Sequence, residues 1–167
     1  MGLFFNVDEI LQMAEQIERN GSAFYRKAAA ISASSRSAQF FLKLAAMEDE
    51  HEKIFAHMRN NLREEERRIS IPDPENQAQA YLKAWADGHV FDVRGNPAEK
   101  LSGQEKPEEI LRWAINQEKE SIVFYLGMKE AVPERLGKKK VDDIIREEMA
   151  HIAILNKELE TMRHQML

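Results

Sequence analysis

Two short motifs carry the chemistry that this sequence offers. Glu48-Asp49-Glu50-His51 and Glu148-Met149-Ala150-His151 each set a carboxylate and an imidazole at Glu-x-x-His spacing, a hundred positions apart. A lone glutamate precedes each motif, Glu18 before the first and Glu118 before the second. Residues three apart on a helix project to the same side, so the histidine of each motif can bind a metal while its glutamate binds or bridges. Four carboxylates and two imidazoles on two helical hairpins form the donor set of a carboxylate-bridged two-metal centre inside a helical bundle, a known pattern that these residues match. Oxygen-rich ligation with one imidazole per metal suits iron, with manganese as the alternative, better than a thiolate metal.

One Glu-x-x-His on a charged helix is weak evidence; its repetition in register is strong. Asp8-Glu9-Ile10-Leu11 through Glu18 is echoed by Glu108-Glu109-Ile110-Leu111 through Glu118, and Phe24-Tyr25 by Phe124-Tyr125. All six candidate ligands (Glu18, Glu48, His51, Glu118, Glu148 and His151) fall within apolar stripes of helical period. A carboxylate in such a stripe costs several kcal/mol unless compensated, and four that converge repel one another and take up protons. Two divalent cations balance four glutamates. The remaining acids Glu15, Glu50, Glu52, Glu120 and Glu147 read as solvated helix charge, and His57, His89 and His164, which have no echo, as surface residues. Tyr25 and Tyr125 lie two turns beyond Glu18 and Glu118, placed to hydrogen-bond a ligand carboxylate of the opposite repeat.

The elements that must hold these residues are helices. The spacing predicts a first helix from about 7 to 32, with Asn6 and Glu9 as a capping box and Phe5 stapled to Ile10. A turn over 32–37 leads to a second helix that ends in the charged run 63–68. The third helix starts near Pro107 and runs to about 131; Pro133 and Gly137 mark a turn before the fourth. Positions 69–103 have no counterpart in the echo and form a crossover. Within it Asp73-Pro74-Glu75 starts a short helix stopped at Gly88, and Gly95-Asn96-Pro97 is a turn. The expected fold is all-α: a four-helix bundle of two hairpins, about 7–66 and 107–166, joined by a crossover of about 67–106 with a short extra helix, in one domain over 1–167.

Composition agrees and excludes rivals. Among 167 residues there are seven Gly and five Pro, and no Cys. Disulfides, zinc ribbons and Cys-ligated iron–sulfur clusters are therefore excluded for this sequence. Acidic residues outnumber basic ones, 29 to 24, without a basic stripe for nucleic acid. No apolar run approaches the length of a membrane span. The start lacks the charged region of a signal peptide, and Asn6 stands where a myristoylation motif wants Ser or Thr. The expectation is a cytoplasmic protein.

The set Glu18 with Tyr25, Glu48-Asp49-Glu50-His51, Glu118 with Tyr125, and Glu148-Met149-Ala150-His151 resembles the rubrerythrin branch of the ferritin-like superfamily. The resemblance covers the four main helices. It implies a non-haem di-iron centre that reacts with peroxide or dioxygen, in a homodimer or higher homo-oligomer. Two features depart from the family pattern. Rubrerythrins typically carry a four-Cys rubredoxin-like domain; this chain has no Cys, so electrons must come from a separate donor. They also carry an additional Glu one turn after the third-helix ligand, where this chain has Ser121, echoed by Gly21. Small residues at 21 and 121 would leave a pocket over the metals for a small oxidant. The function expected is a rubrerythrin-like oxidoreductase; the alternatives are ferritin-like iron oxidation and sequestration, a metal-stabilised interaction module, and a manganese catalase-like activity.

Overall fold

A computed structural model describes residues 6–68 and 97–165. Helix α1 spans Val7–Ile31, α2 Ser35–Asn60, α3 Glu64–Arg68, α4 Pro107–Ala131 and α5 Lys138–Gln165, with 3-10 turns at Pro97–Lys100 and Glu134–Leu136. No strand occurs among the described residues. The staple at Phe5, the crossover helix after Asp73, His89 and the start of the 95–97 turn lie outside them.

Local chemistry sets the helix ends. The Asn6 side chain accepts the Glu9 N–H at 2.9 Å, and the Glu9 carboxylate accepts the Asn6 N–H at 2.9 Å, the reciprocal pair expected from the sequence. The first turn is shorter than the serine run suggests. Ser34 caps α2 by accepting the Ser37 N–H at 3.0 Å, so helix begins at Ser35 rather than after Ser37. The charged run is not the tail of α2 either. The chain breaks at Asn61, buries Leu62 and starts α3. Arg135, in the turn of the second hairpin, holds that corner by donating to Glu66 and to the Asn61 carbonyl. Pro107 opens α4, whose Glu109 accepts the Lys106 N–H at 2.8 Å. Gly137, at φ 96°, turns the chain into α5 through a left-handed conformation that other residues rarely adopt.

The core forms two apolar clusters. One joins Leu11, Ile17, Phe55, Met58, Phe124, Met128, Val141 and Ile144 with their neighbours. The other joins Phe24, Ala28, Phe41, Leu44, Leu111, Ala114, Leu155 and Leu159 with theirs. The first takes the early part of α1 and α5 and the late part of α2 and α4; the second takes the converse. Hence α1 runs parallel to α5 and α2 parallel to α4. The end of α2 and the start of α4 therefore lie at opposite ends of the bundle, about 37 Å apart for a 25-residue helix at 1.5 Å per residue. On each of the four long helices the candidate ligands lie between the segments that build the two clusters.

Candidate metal centre

All six candidate ligands are buried, none more than 4% exposed. Glu18 comes from α1, Glu48 and His51 from α2, Glu118 from α4, and Glu148 and His151 from α5. Their donor atoms make two overlapping groups, each with every atom within 4.8 Å of the others. One group is Glu18, Glu48, His51 and Glu148; the other is Glu48, Glu118, Glu148 and His151. Glu48 and Glu148 belong to both, so the glutamates of the two Glu-x-x-His motifs are the shared ones and the lone glutamates are terminal.

The rings of His51 and His151 are stacked, with centroids 5.9 Å apart. His51 Nδ1 is 3.1 Å from Glu148 Oε1 and 3.7 Å from Glu18 Oε2. His151 Nδ1 is 2.9 Å from Glu148 Oε2, 3.3 Å from Glu48 Oε1 and 3.5 Å from Glu118 Oε1. The tyrosines cross between repeats: Tyr25 donates to Glu118, and Tyr125 donates to Glu18. Burial first, and then the charge of the glutamate each one bonds, raises both phenols well above their ordinary value, so both stay protonated as donors.

The electrostatics describe a site that demands positive charge. Burial, then the neighbouring Glu48 and Glu148 carboxylates, pushes Glu18 well above the usual carboxylate range; burial, then Glu118, raises Glu148. Burial alone would lower the histidines. The facing carboxylates of Glu148 and Glu18 overcome it at His51, and those of Glu118, Glu148 and Glu48 at His151, so each is pushed up to about 12. A pocket that draws protons this strongly draws divalent cations for the same reason, and metal binding would release those protons.

The donors also fit a metal by what they lack. The buried side-chain atoms without a hydrogen-bond partner among the described residues are Glu18 Oε2, Glu48 Oε1, His51 Nδ1, both Glu148 oxygens and both His151 nitrogens. Every one belongs to a candidate ligand. Buried polar atoms normally find partners, so orphans confined to one cluster mark a place for a ligand, and carboxylate with imidazole is the donor chemistry of iron and manganese.

Two sequence readings, of Glu15 and Gly21, need correction, and that of Glu147 needs an addition. Glu15 is not solvated: it is buried, paired with Arg19 at 2.9 Å and Arg59 at 3.4 Å, because α2 brings a cation to its side. Glu147 is exposed as expected but is not idle; its Oε2 lies 2.9 Å from His51 Nε2. The repeat pattern concealed it, since its echo is Met47. Gly21 does not open a pocket. A Cβ there would stand 3.1 Å from Glu48 Oε2, so the missing side chain makes room for that shared carboxylate. Ser121 is buried, and its hydroxyl donates to the Gln117 carbonyl at 3.1 Å. His57 is exposed and bonds Asn61, the residue that caps its own helix.

Residues 9–88 match the model of the Rubrerythrin family. Over that stretch the chain is similar to the Rubrerythrin family, and its fold is that of a ferritin-like helical bundle. The family match covers the first hairpin and much of the crossover. Likeness of the second hairpin rests on the echo and on a structural match. A crystal structure from Thermotoga maritima, assigned as a ferritin-like diiron-carboxylate protein, superposes with a TM-score of 0.75 at 25% identity, over 96% of this chain and 98% of that one. Among curated proteins none matches. No helix among the described residues is long and apolar enough to cross a membrane.

Proposed function

We propose that this rubrerythrin-like chain is a non-haem di-iron oxidoreductase that reduces peroxide or dioxygen with electrons from a separate donor. The observation that carries the reading is the set of orphaned donor atoms, all buried and all on five of the six candidate ligands. Glu18 and His51 would hold one iron, Glu118 and His151 the other, with Glu48 and Glu148 shared. The bound irons would supply the two electrons that a peroxide bond requires. The chain's own work is positional. Tyr25 and Tyr125 hold the terminal carboxylates through their hydroxyls, and the two apolar clusters shield the donors from water.

Protein purified without oxygen tests this directly. The expected result is two irons per chain, and a visible spectrum that changes on adding peroxide or dioxygen and recovers with a reductant. Iron content well below one per chain under saturating ferrous iron would overturn the reading. A closed shell of many subunits holding far more than two irons per chain would replace it with iron sequestration.

A further inference from the structure

The two halves of the site differ behind the histidines. An ionised carboxylate can only accept, so Glu147 keeps a proton on His51 Nε2 and leaves Nδ1, which faces Glu148 and Glu18, as the nitrogen that can exchange its proton for a metal. His151 has no such partner: its Nε2 is buried and without a hydrogen bond among the described residues. The repeat explains why. Glu147 on α5 reaches the histidine of α2, and the equivalent position on α2 in the repeat is Met47. The substitution replaces an acceptor by a side chain that accepts only weakly.

We infer that Glu147 is a positioning residue that makes the two metal positions unequal, so that the Glu18–His51 position loads first and holds its ion more tightly than the Glu118–His151 position. A carboxylate behind a ligating imidazole fixes its tautomer and orientation and strengthens it as a donor, and losing one typically weakens metal binding by about 10- to 100-fold. His51 enters binding already oriented, whereas His151 must be ordered by the metal itself. Glu147 reaches His51 from a half-exposed place on α5, so replacing it leaves the core intact. The inference rests on the two-metal reading above.

The experiment is an anaerobic titration of the metal-free protein with cobalt(II), followed by calorimetry and visible absorption. Wild type should show two steps of unequal affinity. His51→Ala should abolish the tighter step and His151→Ala the weaker one. Glu147→Met, which copies the other repeat, should weaken the tighter step by about 10-fold or more and leave the weaker step in place. Glu147→Gln, which keeps an acceptor oxygen, should retain part of the difference. Met47→Glu should tighten the weaker step. Circular dichroism of each metal-free variant checks that it folds. Two wild-type steps that Glu147→Met leaves unchanged, or weakens equally, would overturn the inference and leave the two-metal reading standing. Wild type that binds no cobalt would instead bring down the two-metal reading.

Discussion

The first hairpin and the second carry the same candidate ligands at the same spacing, yet they are built differently around them. Between α1 and α2 the contact is close and strapped by charge: Arg19 meets Glu52 at 2.6 Å, Arg26 pairs with Asp49, and Arg59 meets Asp8 and Glu15. Gly21 lets Glu48 lie against the α1 backbone. Between α4 and α5 the ties are Lys129 to Asp142 at 2.7 Å and Lys138 to Glu130 at 3.3 Å. Ser121 stands where α1 has glycine, and Glu147 reaches across to the other repeat's histidine. The candidate ligands common to both share one requirement, that converging buried carboxylates meet positive charge. The differing neighbours answer only to local packing, and there the two repeats are free to diverge.

Removing what the hairpins share should have the largest effect. Glu48 and Glu148 each serve both donor groups, so Glu48→Gln with Glu148→Gln should abolish binding at both positions. Differential scanning calorimetry should then find no metal-dependent rise in Tm. In wild type, metal at a thousand times its Kd should contribute about 4 kcal/mol.

The pH dependence of the metal-free protein should be alike in both repeats. His51 and His151 hold their protons up to about 12 when folded, against an ordinary 6.5. Their contribution is therefore fully present below about pH 6.5 and fades as pH rises toward 12. Glu18 and Glu148, raised when folded, act with the same sign from the ordinary carboxylate range upward. Urea denaturation of chelated protein should give lower stability at pH 8 than at pH 6. His51→Gln and His151→Gln should flatten that slope equally, even though they differ in metal affinity. A flat wild-type profile would mean that the carboxylates are solvated.

Loss of either tyrosine hydroxyl should cost a similar, smaller amount, because each makes one bond to the opposite repeat's glutamate. Leaving a buried hydrogen-bonding group without its partner costs about 1–3 kcal/mol, so Tyr25→Phe and Tyr125→Phe should lower stability within that range and by similar amounts. A large difference in urea midpoints would mean that the crossed pairing is not equivalent.

The smallest effect distinguishes the repeats again. Gly21→Ala gains about 1 kcal/mol of helix propensity, but its Cβ would press on the end of Glu48. The flexible carboxylate should yield, leaving metal-free stability within about 1 kcal/mol of wild type while metal affinity falls about 10-fold. Ser121→Ala removes only a hydroxyl bonded to its own helix and should change neither. Titration and thermal melts of the two variants, run together, make the check.

Much of the site was legible in one dimension. Helical period places Glu18, Tyr25, Glu48 and His51 on inward faces, and the echo repeats that reading for Glu118, Tyr125, Glu148 and His151. Capping follows from adjacent residues too, which is why Asn6 and Glu9 were readable while the exact start of α2 turned on which serine hydroxyl was used. Facing is a property of a single helix, set by 3.6 residues per turn. What lies across from a face is not. Only the packing of α1 against α2 made Glu15 a buried partner of Arg59 and filled the space at Gly21 with Glu48. Only the approach of α5 to α2 set Glu147 behind His51. Which glutamates are shared and which terminal also depends on where four axes lie relative to one another. Those positions follow from how the two apolar clusters close around the carboxylates, a balance of side-chain volume and charge between helices that no single stretch of sequence contains.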